Sequence, residues 1–292
     1  MKFLTYQYHG VEILGILTDK GVYNVKDFGL NYASMNELIV NITDEEMKTL
    51  KLAVKNRFKP LNFEDIKLLA PIPYPLQDVL CLGLNYADHA KEYSSHKKET
   101  EETAEKPVAV YFSKRVNKAS ASGDLIPKHE EIVTGLDYEV ELGVVIKKDA
   151  WQVKEEEAFD YVFGYTIIND VTSRDIQSRH KQWYFGKSLD GFLPMGPVLV
   201  TEDEFERPPV LKITAKVNGE LRQSSSTSLL IHGIAKVICE LTKGMTLKAG
   251  TIIATGTPAG VGLGFNPPKY LKSGDVVECE IEKIGVLENT VE

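Results

Sequence analysis

The sequence predicts an α+β protein with two parts: a small N-terminal α/β unit over residues 1–75 and a strand-rich body over residues 76–292. Three observations carry this. Short apolar or alternating runs bounded by turn residues recur from Val79 to Val291. Patterns of helical period are few and do not alternate with the strands one for one, which argues against a doubly wound parallel sheet. The run Pro71-Ile72-Pro73-Tyr74-Pro75 fits neither a helix interior nor a central strand, so the boundary is placed there.

The elements follow in order. Residues 1–18 and 21–26 alternate weakly and read as short strands. Ser34–Ile42 and Thr43–Lys55 read as helices, the second with Thr43 and Glu46 at capping-box spacing. Beyond the prolines, strands are expected at Val79–Leu84, Val108–Ser113, Leu136–Lys147, Tyr161–Asp170 and Val198–Thr201. Further strands are expected at Leu211–Val217, Thr251–Ala254, Asp275–Glu282 and Val286–Val291. Asn218-Gly219 is a hairpin turn between ITAKV and ELRQS. Helices are expected at Glu155–Phe159, Ser173–Lys181 and Ser228–Lys243, the last ending at Gly244 as a C′ glycine. His96 to Lys106 is charged and almost without apolar residues, as a mobile loop or lid would be.

Composition excludes several classes. A net charge of −8 argues against a nucleic-acid binder. No apolar run approaches the ~18 residues that span a bilayer. The start MKFLTYQYHG turns polar too early for a signal peptide. The three cysteines, Cys81, Cys239 and Cys279, lie far apart in apolar runs without zinc-site spacing and read as buried, reduced residues of a cytoplasmic protein.

Four constellations could carry chemistry. Read as a strand, Leu136–Gly143 places Asp137, Glu139 and Glu141 on one face, the two glutamates roughly 7 Å apart. Like charges so placed repel unless a hard cation joins them; a half-buried strand with a solvated acidic face gives the same alternation. Asp170 ends the strand YTIIND, where it could supply a third oxygen ligand for Mg²⁺, Mn²⁺ or Ca²⁺, or cap the following helix. His89 and Glu92 lie at i and i+3, so the carboxylate could orient the imidazole as a base, or both could line a solvated helix face. Lys187, inside WYFGKSLDGF, is suited to hold an anion if desolvated, or it snorkels. Gly260-x-Gly262-x-Gly264 lacks dinucleotide-site spacing; it could meet a carboxylate through backbone N–H groups or be a plain tight loop.

Taken in order, GLNYADHAKE, DYEVELGVVI, GYTIINDVTSRDIQ, KQWYFGKSLDGFLPMGP, VNGELRQ and TGTPAGVG resemble the fumarylacetoacetate hydrolase superfamily from about residue 76 to the C-terminus. The chain looks most like the fumarylacetoacetate hydrolase domain-containing proteins and the related bacterial decarboxylase/isomerase group. The resemblance implies a highly twisted mixed β-roll, a homodimer, and Mg²⁺ or Mn²⁺ on Glu139, Glu141 and Asp170. It implies a His89–Glu92 dyad on a lid helix, Lys187 contacting the substrate, Gln177 beside it, and Thr257 on a substrate carboxylate. The implied substrate is a 2-oxo or 1,3-dioxo carboxylic acid reacting through an enolate. Hydrolysis of a C–C bond in an acylpyruvate is preferred slightly, with oxaloacetate decarboxylation or tautomerisation and 2-hydroxyhepta-2,4-diene-1,7-dioate-type isomerisation as alternatives. From another class, a non-catalytic metal-binding module is disfavoured by the intact set of motifs. Tyr93 to Pro107 is polar and idiosyncratic, which leaves the substrate open.

Overall fold

The computed structural model describes residues 1–53, 59–97 and 108–292. The chain opens with the antiparallel strands β1 (Lys2–Tyr8), β2 (Val11–Thr18) and β3 (Gly21–Asn24), followed by α1 (Met35–Asn41) and α2 (Asp44–Ala53). The Ser34 hydroxyl caps α1 by accepting from Glu37 N–H at 3.2 Å. The capping box of α2 is reciprocal: Glu46 N–H donates to Thr43 Oγ1 at 3.1 Å and Thr43 N–H to Glu46 Oε2 at 2.8 Å. The expected end of this helix at Lys55 falls outside the described residues.

Next come β4 (Lys67–Leu69), β5 (Val79–Gly83), α3 (Ala87–Lys97), β6 (Val110–Lys114), β7 (Leu125–Ile126), β8 (Leu136–Asp137) and β9 (Val140–Ile146). They are followed by β10 (Val162–Asn169), β11 (Thr172–Ser173), α4 (Arg174–Arg179), α5 (Tyr184–Lys187) and β12 (Met195–Thr201). The chain closes with β13 (Lys212–Val217), β14 (Glu220–Ser226), α6 (Ile234–Thr242), β15 (Ile252–Ala254), β16 (Val276–Ile281) and β17 (Gly285–Val291). The expected lid stretch falls, from residue 98 to 106, outside the described residues.

The fold is α+β. A ten-stranded mixed sheet runs β3-β2-β1-β12-β10-β9-β15-β5-β6, with β4 added on β1; a five-stranded sheet runs β14-β13-β16-β17-β7. Strands β9 and β10 are buried along their whole length. On one face Leu142 and Val144 share a core with Ile213, Ala215 and Cys279 of the second sheet. On the other, Val145 and Ile168 join Phe3, Ile16, Leu38, Cys81 and Leu199. Strand β1 pairs with β12, so the N-terminal strands continue the large sheet. The proline run packs inside: the Pro71 carbonyl accepts from Thr5 Oγ1 at 2.7 Å and the Pro73 carbonyl from Ala119 N–H at 2.9 Å.

Three local expectations change. Leu136–Lys147 is not one strand; it breaks at Tyr138-Glu139, because Glu139 N–H is drawn to the Asn169 side chain at 3.0 Å and Asp137 turns to a loop. The helix expected from Ser228 begins at Ile234, after a 3₁₀ turn at Thr227–Leu229, and Gly244 stays out of the left-handed region. Cys239 is half-buried, whereas Cys81 and Cys279 are buried. Among the described residues no helix is long and apolar enough to cross a membrane.

Candidate active site

Three carboxylates converge where β9, the turn before it and the end of β10 meet. Oxygens of Glu139, Glu141 and Asp170 lie within 4.8 Å of one another, and all three residues are buried. Asp170 does not cap α4, which follows Ser173 without a side-chain cap. Both of its oxygens are bound by lysines instead: Oδ2 by Lys187 Nζ at 2.6 Å and Oδ1 by Lys114 Nζ at 2.6 Å. Lys187 is buried rather than snorkelling, and it also reaches Glu139 Oε2 at 2.7 Å. Lys114 donates its second bond to the Val171 carbonyl at 2.8 Å.

Arg174, at the start of α4, makes an ion pair with Glu139 Oε1 at 2.7 Å and donates from Nε to Asp137 Oδ2 at 2.8 Å. Its Nη1 donates to Gln177 Oε1 at 3.1 Å, which fixes Gln177. Glu141 accepts Gly256 N–H at 2.8 Å, and among the described residues no cation lies within ion-pairing distance of it. The electrostatics follow. Burial raises the Glu139 carboxyl, but Lys187, Arg174 and His89 outweigh burial and hold it well below the ordinary range. Burial, then Asp170 and Glu139, push the Glu141 carboxyl well above it. Burial and Lys187 lower the Lys114 ammonium against the pull of Asp170; for Lys187, Asp170 and Glu139 overcome burial and raise it. The donors are all hard oxygens, they converge, and one carboxylate, Glu141, makes no ion pair among the described residues. That set fits Mg²⁺ or Mn²⁺.

The predicted dyad lies against this cluster. His89 Nδ1 is 3.1 Å from Glu92 Oε2 on the first turns of α3. Glu92 in turn accepts Gly260 N–H at 3.1 and 3.3 Å. His89, Glu139, Glu141, Gln177, Lys187 and Thr257 all line one cavity, closed on its other side by Leu82, Gly83, Leu84, Phe112 and Trp183. Its free volume of about 20 Å³ holds about one water. Thr257 reaches the cavity, but its hydroxyl donates to the Val140 carbonyl at 2.9 Å and accepts from Gln223 Nε2 at 2.7 Å.

Sequence reasoning missed Lys114, Arg174, Gln223 and the role of Asp137. Arg174 carries only a weak signal, four residues after Asp170. Lys114 sits in YFSKRVNK, which reads as an ordinary strand leaving toward a basic surface. Strand alternation groups Asp137 with the glutamates, yet its oxygens accept Gly262 N–H at 2.6 Å and Leu263 N–H at 3.0 Å, holding the glycine-rich loop.

Residues 78–292 match the fumarylacetoacetate (FAA) hydrolase C-terminal family. The chain is 50% identical over 230 residues to an oxaloacetate tautomerase of Bacillus subtilis, a match spanning 79% of this chain and 74% of that protein. A fumarylacetoacetate hydrolase structure from Exiguobacterium antarcticum superposes with a TM-score of 0.83 at 40% identity, covering 100% of this chain and 99% of that one. A maleylpyruvate hydrolase from Sphingobium sp. SYK-6, solved with manganese (II) ion and pyruvate, superposes with a TM-score of 0.79 at 25% identity, covering 100% and 98%. The matched residues include the whole acidic cluster, both lysines and the dyad, and the chain belongs to the fumarylacetoacetate hydrolase family.

Proposed function

We propose that this protein is a divalent-metal enzyme that interconverts the enol and keto forms of oxaloacetate or a similarly short 2-oxo acid. The observation that carries the reading is one small cavity lined by Glu139 and Glu141 of the three convergent buried carboxylates, by the buried Lys187 and by the carboxylate-bound His89. The tautomerase relative at 50% identity supports the choice of reaction. Mg²⁺ or Mn²⁺ held by Glu139, Glu141 and Asp170 would supply a Lewis acid for the carboxylate and 2-oxo oxygens of the substrate.

The chain's own residues do the rest. Asp137, Glu139, Glu141 and Asp170 face Lys114, Arg174 and Lys187, so a divalent ion leaves the site one positive charge in excess, which a substrate carboxylate balances. Two of the three Lys187 N–H groups bind Glu139 and Asp170; the third can donate to the oxygen that gains charge as the enol loses its proton. Glu92 engages His89 Nδ1, which leaves Nε2 to take the proton from the enol oxygen and pass it to C3. One proton leaves the enol oxygen and one arrives at C3, so His89 ends the cycle as it began. Phe112, Trp183 and Leu82 keep bulk water from the enolate.

A second reading, hydrolysis of an acylpyruvate C–C bond, is favoured by the cavity's room for one water in reach of His89. It needs the same metal and lysine, with His89 taking a proton from that water. We further propose a homodimer, which sedimentation would read as twice the chain mass.

The test follows the ultraviolet absorbance of enol-oxaloacetate. The protein with Mn²⁺ should accelerate its decay, chelation should abolish the effect, and His89→Ala should lower kcat by about 10²–10⁴-fold. Decay at the uncatalysed rate, together with cleavage of acylpyruvates, would replace the first reading by the second.

A further inference from the structure

The motif Gly260-x-Gly262-x-Gly264 requires glycine at its three positions for different reasons. Gly260 has φ +101°, and a Cβ there would overlap the Arg222 carbonyl oxygen. A Cβ on Gly262 would stand 2.5 Å from the Lys269 carbonyl oxygen and 2.6 Å from Asp137 Oδ1. Both positions are closed by backbone or by a fixed ion pair. Gly264 differs. Its backbone is outside the left-handed region, and the three nearest atoms to a Cβ there all belong to the Glu92 side chain: Oε1 and Cδ would be overlapped and Cγ would be 2.8 Å away.

We propose that the turn Gly260–Gly264 is a seat for the Glu92 carboxylate, and that Gly264 is a positioning residue for the His89–Glu92 pair. The missing side chain at 264 lets Glu92 lie deep enough to accept Gly260 N–H and hold His89 Nδ1 at once. The seat is tied to the acidic cluster. The Tyr138 hydroxyl donates to the Gly260 carbonyl at 2.7 Å, and Asp137 holds Gly262 and Leu263 by their N–H groups. Asp137 is bound by Arg174, and Arg174 pairs with Glu139. Two successive ion pairs therefore fix the distance between the Glu139 carboxylate and the place where the dyad docks. The catalytic meaning of the seat rests on the proton-transfer role given to His89 above; its existence does not.

Gly264→Ala separates the possibilities because the atoms it overlaps are the tip of a flexible side chain, so the fold is retained and Glu92 is what moves. In the metal-bound protein, amides of Ala87–Lys97 should exchange with deuterium roughly tenfold or more faster in Gly264→Ala than in wild type, because a charge-assisted hydrogen bond is lost. Mn²⁺ affinity should be unchanged. Glu92→Ala should show the same acceleration, and the double variant no more than either single one. Glu92→Asp should weaken docking in the wild-type background yet restore it in Gly264→Ala, since the shorter carboxylate clears the new methyl group. Turnover should follow the same pattern in kcat, with little change in KM. Effects of Gly264→Ala and Glu92→Ala that add, or wild-type exchange in Gly264→Ala, would overturn the seat. The exchange cycle needs no substrate, so it decides the seat even if the turnover experiments assign another reaction.

Discussion

Lys114 has no exposed surface and two partners, Asp170 and the Val171 carbonyl. Without Lys114, Asp170 keeps Lys187 on Oδ2, but its Oδ1 and the Val171 carbonyl lose their donor, and a buried acceptor left unsatisfied costs about 1–3 kcal/mol. Lys114→Met should therefore destabilise the metal-free protein by about that amount in urea. The loss should be smaller with saturating Mn²⁺, which gives Asp170 another counter-charge; equal losses would count against Asp170 as a ligand. Glu141 behaves oppositely. Its carboxyl is pushed up, so the metal-free native state binds a proton that the unfolded chain has released. This group's contribution is therefore full at low pH and falls as pH rises above the ordinary 4.5. In Glu141→Gln that decline should vanish from a pH series of metal-free unfolding curves, and Mn²⁺ binding should weaken roughly 100-fold. The sequence exposed Glu141 through its i, i+2 partner Glu139 and through the strand that ends in Asp170. It could not expose Lys114, which is 56 residues from Asp170 and turns inward only because β6 lies on the edge beside β5.

At the scale of elements, local signals held where the geometry is local. Asn218 and Gly219 have φ of 52° and 78°, the two positive values that join β13 to β14. Gly219 has no atom within 4 Å of a Cβ, so Gly219→Ala would meet only the conformational penalty. It should cost about 1–2 kcal/mol by urea titration. Gly244 also has open space but lacks positive φ, so Gly244→Ala should be neutral or stabilise by about 0.4–1 kcal/mol. Equal losses at both sites would remove the conformational explanation. The same limit accounts for the break between β8 and β9. Alternation in LDYEVELG sees only neighbours, whereas Asn169 and the Gly262–Leu263 amides that interrupt the strand lie 30 or more residues away.

The whole molecule is organised by the large sheet, and this bears on how residues 1–75 relate to the rest. The proline run marked a boundary because proline cannot continue regular structure, but it carries no information on whether such a run is solvated or packed. Here it is packed: Ala70, Pro71 and Ile72 are buried, and Phe3, Ile16 and Leu38 share one core with Cys81, Val145, Ile168 and Leu199. Strand β1 hydrogen-bonds β12, which neighbours β10, and the end of β10 leads to Asp170. The two parts should therefore unfold as one cooperative unit. The chain offers a direct test, because both tryptophans, Trp151 and Trp183, lie beyond residue 75. Their fluorescence reports the body alone, whereas far-ultraviolet circular dichroism reports the helices and strands of both parts. The two urea transitions should coincide. An earlier dichroism transition, with fluorescence unchanged, would mean that residues 1–75 melt by themselves. A chain starting at residue 76 would bare the β12 edge and the apolar face that Phe3, Leu14 and Met35 cover, so it should aggregate rather than fold. Soluble, metal-binding residues 76–292 would instead make the N-terminal strands an accessory to an independent domain.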